Sequence, residues 1–245
     1  MKNNEIKFAD LNDFAMPKNY FYKAFVFALS FIVAIAGNTQ AVAYKGKPYQ
    51  DAFYKKGAQK IPGKLQCEYY DFGGEGVAFH DGDSANSGSG KLNKPDGSYL
   101  HEFRINEAVD ISFTKFSTSQ IDNTPYNFVQ PEKDQLYVGW TKPGEWTKYS
   151  INVKKSGTYQ LGLMFTSNKN GKISFAVNDR DVTPPITIPS TYVAADTVAW
   201  RQWHHWNYLE NIATIQLKKG LQTFTIHTVE LGDMNYDFIS FKKLD

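Results

Sequence analysis

Flat aromatic side chains set among amides and carboxylates are the residue types in this sequence whose chemistry stands out. Among 245 residues there are five tryptophans, and Trp140 and Trp200 stand where the sequence otherwise reads as polar, turn-rich β-structure. A pyranose ring presents C–H groups on its faces and hydroxyls around its edge. A sugar site therefore needs an apolar plate and a few oriented polar groups, and the Asn- and Trp-rich C-terminal half supplies both. Tryptophan is also a common core residue. Trp203 and Trp206 are read as mostly structural, because their spacing turns one toward the core when Trp200 points outward.

Other chemistries find less support. Glycoside hydrolases use two carboxylates about 5–10 Å apart across the bond, and the strand pattern E-x-D-x-x-E of one jelly-roll hydrolase family is missing, with Glu107–Phe113 its nearest failure. There is no G-x-S-x-G elbow and no H-E-x-x-H zinc motif. His204 and His205 are adjacent, so on a strand they would face opposite ways and make poor joint metal ligands. Cys67 is the single cysteine, which excludes a disulfide framework and reads as a buried small apolar residue. A net charge of +2 with dispersed basic residues gives no footprint for nucleic acid, and a neutral partner is expected.

The elements that must position the tryptophans read as one large β-domain. Lys18 and Lys23 flank an apolar run from Ala24 to Ala36 that is too short to span a bilayer and fits a secretory signal. Cleavage is expected after the small residues around Ala41–Ala43, with residues 1–15 a polar extension and Met16 an alternative start. Residues 1–43 are thus assigned to a signal peptide with its extension, and residues 44–60 to an extended leader or linker. From residue 61 onward strands alternate with turns: Leu65–Tyr70, a long loop Gly73–Gly90, then Gly157–Thr166, Lys172–Val177, Asn211–Leu217, Leu221–Val229 and Tyr236–Lys242. Period-2 alternation, as in Thr223–His227, and the near absence of helical periodicity predict an all-β fold, a β-sandwich of jelly-roll type.

The stretch Ile61–Asp71, followed by Gly73–Asp81, resembles the opening of family 6 carbohydrate-binding modules. Val109-Asp110-Ile111, Val138-Gly139-Trp140, Gly144–Tyr149, Trp200-Arg201-Gln202-Trp203 and Asn235–Phe238 continue the resemblance in order, over about residues 61–245. The segments Ser117–Gln135 and Tyr192–Ala199 look longer than the family norm, and insertions of that kind reshape loop-borne sites.

The resemblance implies a jelly roll whose ligand site lies among loops at one edge of the sandwich. There Trp140 and Trp200 would hold a sugar ring, Asn235 would fix its hydroxyls through donors and an acceptor on one amide, and His80 would reach in from the first long loop. A second, concave-face site at Trp146 is read as doubtful, because Phe175-Ala176-Val177 offers no carboxylate. The resemblance also implies a structural Ca²⁺ held by oxygens of Gln66, Glu68 and Asp237, with Gln66 and Glu68 on one face of a strand. The expectation is a secreted, freestanding protein that binds a polysaccharide or oligosaccharide without transforming it, beside separate glycan-degrading enzymes and with no membrane span in the mature form. A small secreted glycoside hydrolase or lyase, and an adhesion protein with a protein partner, are the alternatives.

Overall fold

In a computed structural model, residues 43–230 and 232–244 are described; the signal-peptide assignment lies outside these residues except at Ala43. Among the described residues there are thirteen strands: β1 (Gln59–Ile61), β2 (Gly63–Gln66), β3 (Phe79–His80), β4 (Ile111–Phe113), β5 (Leu136–Thr141), β6 (Trp146–Val153), β7 (Gly157–Ser167), β8 (Gly171–Val177), β9 (Arg180–Asp181), β10 (Ile186–Ile188), β11 (Asn207–Leu217), β12 (Gly220–Glu230) and β13 (Met234–Lys243). They form two sheets. One runs β1-β6-β12-β8-β10 with β3 and β9 at its margins, and the other runs β11-β7-β13-β5-β4 with β2 beside β13. From β5 to β8, and again from β11 to β13, consecutive strands change sheets, so each hairpin arch crosses the sandwich as a jelly roll requires.

The inner faces meet because the strands alternate. Tyr149, Ile151 and Val153 of β6, Leu161, Leu163 and Phe165 of β7, Phe224 and Ile226 of β12, and Ile239 and Phe241 of β13 are all buried in one cluster. The positions between them are polar in β6, β12 and β13, while in β7 they are Gly162 and Met164, the latter buried in a smaller cluster with Tyr137 and Trp206; a one-residue slip would exchange the two sets. Cys67 lies fully buried in this core, as its type implies.

Three local departures from the sequence reading matter for the site. The first strand stops at Gln66, and Cys67–Tyr69 turn as a 3-10 helix. The loop after Gly73 contains β3, which pairs with β6. The leader is extended but docked: Lys47 bridges to Phe72, and Tyr49, 5% exposed, stacks on Tyr69 at 5.3 Å. Asp51 ties it down by accepting from Phe53 N and from the Tyr49 and Tyr99 hydroxyls.

Candidate functional site

Trp140 sits near the end of β5, where residues 139 and 140 face Asn235 alone: Val138 pairs with Tyr236 and Thr141 with Met234. This two-against-one count is a β-bulge, which twists a strand and re-aims a side chain. Trp140 accordingly has a φ of 50°, a left-handed conformation that costs a bulky residue roughly 1–2 kcal/mol. The strand bears that cost and holds a large ring in the open, 38% exposed. Gly139 is required beside it, because a Cβ there would lie 2.8 Å from Asn235 Oδ1 and 3.1 Å from the Tyr137 ring.

The second aromatic wall comes from a 3-10 turn, Ala199–Trp203. In a 3-10 turn residues i and i+3 eclipse, so Trp200 and Trp203 share one face, and they are 49% and 37% exposed. Reading Trp203 as structural missed this, because strand-like spacing separates positions three apart while 3-10 spacing unites them. Trp206 is the true core member: it is fully buried, edge-on to Tyr137 at 5.2 Å, and its indole N–H donates to Asp122 at 2.7 Å.

Both longer segments clamp this turn. From the first, Asp122 accepts from His204 Nδ1 at 2.9 Å as well as from Trp206, and Trp206 O accepts from Phe128 N and Val129 N. From the second, Asp196 accepts from Arg201 Nε at 2.6 Å and from His205 Nε2 at 2.8 Å. The Arg201 guanidinium, then the His205 contact, hold the Asp196 carboxyl well below the usual carboxylate range. Gln202 closes the loop, donating to Val193 O and Asp196 O and accepting from Val193 N. The two adjacent histidines thus engage two separate carboxylates, as opposite-facing neighbours would.

Trp140, Trp200, Trp203 and Asn235 line one cavity of about 590 Å³, together with Tyr137, His204, Asp233 and, at one end, Leu92, Asn93, Lys115 and Ile121. Asn235 is buried, and its amide is committed to protein: Nδ2 donates to Thr166 Oγ1 at 2.9 Å and to Trp203 O at 2.8 Å. Only Oδ1 is left without a protein partner among the described residues. The expected pair of donors for sugar hydroxyls is therefore spent on holding Trp203, and Asn235 can offer an acceptor.

His80 does not line this cavity. It lies on β3 opposite Trp146, bonded to Glu75, and borders a separate cleft of about 20 Å³ with Asp81 and Glu145. The hydrogen bond that His80 donates to the Glu75 carboxylate raises the His80 pKa above its ordinary value. Trp146 also lines a third hollow of about 250 Å³ with Lys148, Asp179, Asp181 and His227. The carboxylates absent from β8 are supplied there by Asp179 in the turn that follows it and Asp181 of β9, although Lys148 Nζ already lies 2.6 Å from Asp179.

Gln66, Glu68 and Asp237 come together across the pairing of β2 with β13, where Gln66 faces Phe238. Glu68 reaches the place from the 3-10 turn rather than from a strand face. Gln66 Oε1, Glu68 Oε2 and Asp237 Oδ1 are buried without a hydrogen-bond partner, and each such oxygen costs roughly 1–3 kcal/mol. Burial, then the neighbouring Asp237 charge, pushes the Glu68 carboxyl well up, and burial pushes Asp237 up to about 8. Two carboxylates and an amide oxygen buried without partners are the kind of hard-oxygen donors a divalent cation takes.

The sequence matches the carbohydrate binding module (family 6) model over residues 107–243, more than half of the chain. No curated protein sequence matches it. Similar solved structures include a family 6 module of a Cellvibrio mixtus lichenase in complex with cellotriose, 24% identical over 45% of this chain and 79% of that one, with a TM-score of 0.36. A module from Clostridium stercorarium in complex with cellobiose is 14% identical over 77% of this chain and 99% of that one, with a TM-score of 0.44. A family 35 module from Clostridium thermocellum is 17% identical over 55% and 88%, with a TM-score of 0.39. With its two-sheet sandwich and its matched C-terminal region, the chain belongs to carbohydrate-binding module family 6.

Proposed function

We propose that the protein binds a polysaccharide or oligosaccharide in the Trp140–Trp200–Trp203 cavity and leaves it chemically unchanged. The observation that carries this reading is three half-exposed indoles lining one cavity, each fixed by a backbone device: a bulge for Trp140 and a clamped 3-10 turn for Trp200 and Trp203. Rigid apolar plates bind pyranose faces at little entropic cost. Asp233 is the one carboxylate among the described lining residues, and Lys169 pairs with it at 3.5 Å. A single carboxylate cannot serve as both acid and base across a glycosidic bond.

The oxygens of Gln66, Glu68 and Asp237 would hold a Ca²⁺, which supplies charge to two carboxylates that burial otherwise disfavours. Its place between β2, the 3-10 turn and β13 supports a structural role, with no part in sugar contact. Export by the Ala24–Ala36 segment, a domain starting near residue 61 with the leader docked on it, and action outside the cell beside separate glycan-degrading enzymes complete the reading. No helix among the described residues is long and apolar enough to cross a membrane.

A glycan array with the purified chain, followed by long incubation with each bound polymer, tests the proposal. Retention on a glycan with no release of reducing ends or unsaturated products is expected. Product that tracks the protein through purification would replace binding with catalysis.

A further inference from the structure

One end of the tryptophan cavity differs from the rest. It is walled by Leu92, Asn93, Lys115 and Ile121, residues that belong to the loops before β4 and after it. Lys115 is half-buried there, and its ammonium donates to Ser112 Oγ at 3.2 Å and faces the Phe113 ring at 4.3 Å. None of the ion pairs among the described residues includes it.

The acidic groups around it are already engaged. Asp122 contacts the Lys115 backbone N–H at 2.7 Å, and its other oxygen is taken by His204 and Trp206. Asp233, farther along the same cavity wall, has Lys169. Beside Lys115 stands Asn93, 2% exposed, whose Nδ2 donates to the same Ser112 Oγ at 3.1 Å while its Oδ1 is buried without a partner. An ammonium with hydrogens to spare thus lines a sugar-sized cavity, held in place through the Ser112 hydroxyl that it shares with the buried Asn93 amide.

We propose that this end of the cavity selects an anionic sugar, one bearing a carboxylate or a sulfate ester, with Lys115 as its counter-charge. The inference rests on the sugar-binding reading above and names the ligand class for it. It also revises what net charge alone implied, because a nearly neutral chain can still place one unpaired cation at the point of contact. An ammonium out of bulk water lacks part of its hydration, and burial accordingly lowers the Lys115 pKa; an incoming anion reverses that penalty. A neutral sugar offers the same ring face to the tryptophans but leaves the ammonium answered only by the field of Asp122, whose oxygens bond to other groups.

Affinity electrophoresis on matched polymers tests this. The probes are polygalacturonate and alginate, each against its carboxyl-reduced form, and carrageenan against its desulfated form, with cellulose and xylan as neutral polymers. At least one anionic polymer should be bound about tenfold or more tightly than its neutralised counterpart, and the pair that shows the gap tells carboxylate from sulfate. Raising the salt should narrow the gap. Lys115→Met, which keeps the apolar stem, should close it, and Lys115→Arg, which keeps the charge, should preserve it, with both variants checked for wild-type melting. Wild-type protein that binds neutral polymers as tightly as anionic ones, or a Lys115→Met variant that keeps the gap, overturns the proposal while leaving sugar binding in place. Failure to bind any of the polymers, charged or neutral, contradicts both readings together.

Discussion

Two regions of this sandwich break the rule that apolar groups go inside and polar groups stay wet, and they break it in opposite directions. At the cavity, Trp140, Trp200 and Trp203 are left partly in water. At the junction of β2, the 3-10 turn and β13, oxygens of Gln66, Glu68 and Asp237 are sealed away without partners. A lone exposed Leu needs no explanation, but clustered exposed indoles and clustered orphan oxygens both do. The first region gains by covering its surface with something flat and apolar on its faces. On the proposed reading, the second would gain by taking in a small hard cation. One is built to exchange its occupant and the other to keep it, so disturbing them should give separable effects on binding and on stability.

In the second region the effects fall on stability. A cation that binds only the folded state at 100 times its dissociation constant adds about 2.7 kcal/mol, or a rise of roughly 5–10 °C for a domain of this size. Chelation should therefore lower Tm by that order and Ca²⁺ should restore it, while sugar affinity measured well below Tm stays the same. Identical melting curves for verified metal-free and Ca²⁺-loaded protein would remove the cation from the second region.

The cation-free protein should also respond to pH in a definite sense. Burial pushes Asp237 up to about 8 from 3.8, so between about pH 4 and 8 the folded chain keeps a proton that the unfolded chain releases. A raised carboxyl pKa contributes stability that is present below the unfolded value and lost as pH rises through the folded one. In chelator, Tm should fall as pH rises across that window, and saturating Ca²⁺ should flatten the slope. A chelated protein that grows steadily more stable over the same range contradicts the buried-carboxyl assignment.

In the first region the effects fall on binding. Replacing Trp140 or Trp200 by Ala should remove about 1–3 kcal/mol of affinity, as truncating aromatic anchors does, with Tm nearly unchanged because both rings are surface groups. Trp206→Ala should behave oppositely, costing about 3–5 kcal/mol of stability as a fully buried tryptophan. A smaller effect is expected for Gly139→Ala. Its methyl would meet Asn235 Oδ1 at 2.8 Å, displacing the side chain that holds Trp203, so affinity should drop by about 1 kcal/mol, the scale of one lost hydrogen bond. Titration calorimetry beside thermal melts separates these outcomes.

The strands of the second half were legible in the sequence because alternation is a direct readout of a half-buried sheet, and β7, β8, β12 and β13 fall within a residue or two of their expected limits. Trp140, Trp200 and Asn235 were legible from the short motifs around them, and the structure brings them to one cavity. Trp203 and Glu68 were misplaced for one shared reason. Both lie in 3-10 turns, which carry no periodic signature over three to five residues and change which positions share a face. His80 falls outside the cavity because the segment after Gly73 is not all loop: β3 pairs with β6 and sends it toward Trp146. Lys115, Asn93 and Ile121 gave no signal at all, since loop residues meet only through the tertiary fold. The longer segments Ser117–Gln135 and Tyr192–Ala199 were visible as lengths, while their work as carboxylate clamps on the tryptophan turn was not.

The measurement that bears most directly on the central claim is titration of one array-selected oligosaccharide into wild-type protein and into the Trp140→Ala, Trp200→Ala double variant, each shown to melt alike. The account predicts saturable binding by the wild type, no detectable product from the sugar, and an affinity at least about a hundredfold weaker in the double variant. Equal affinity in the two proteins would contradict it, because the sugar would then be held somewhere other than between these indoles.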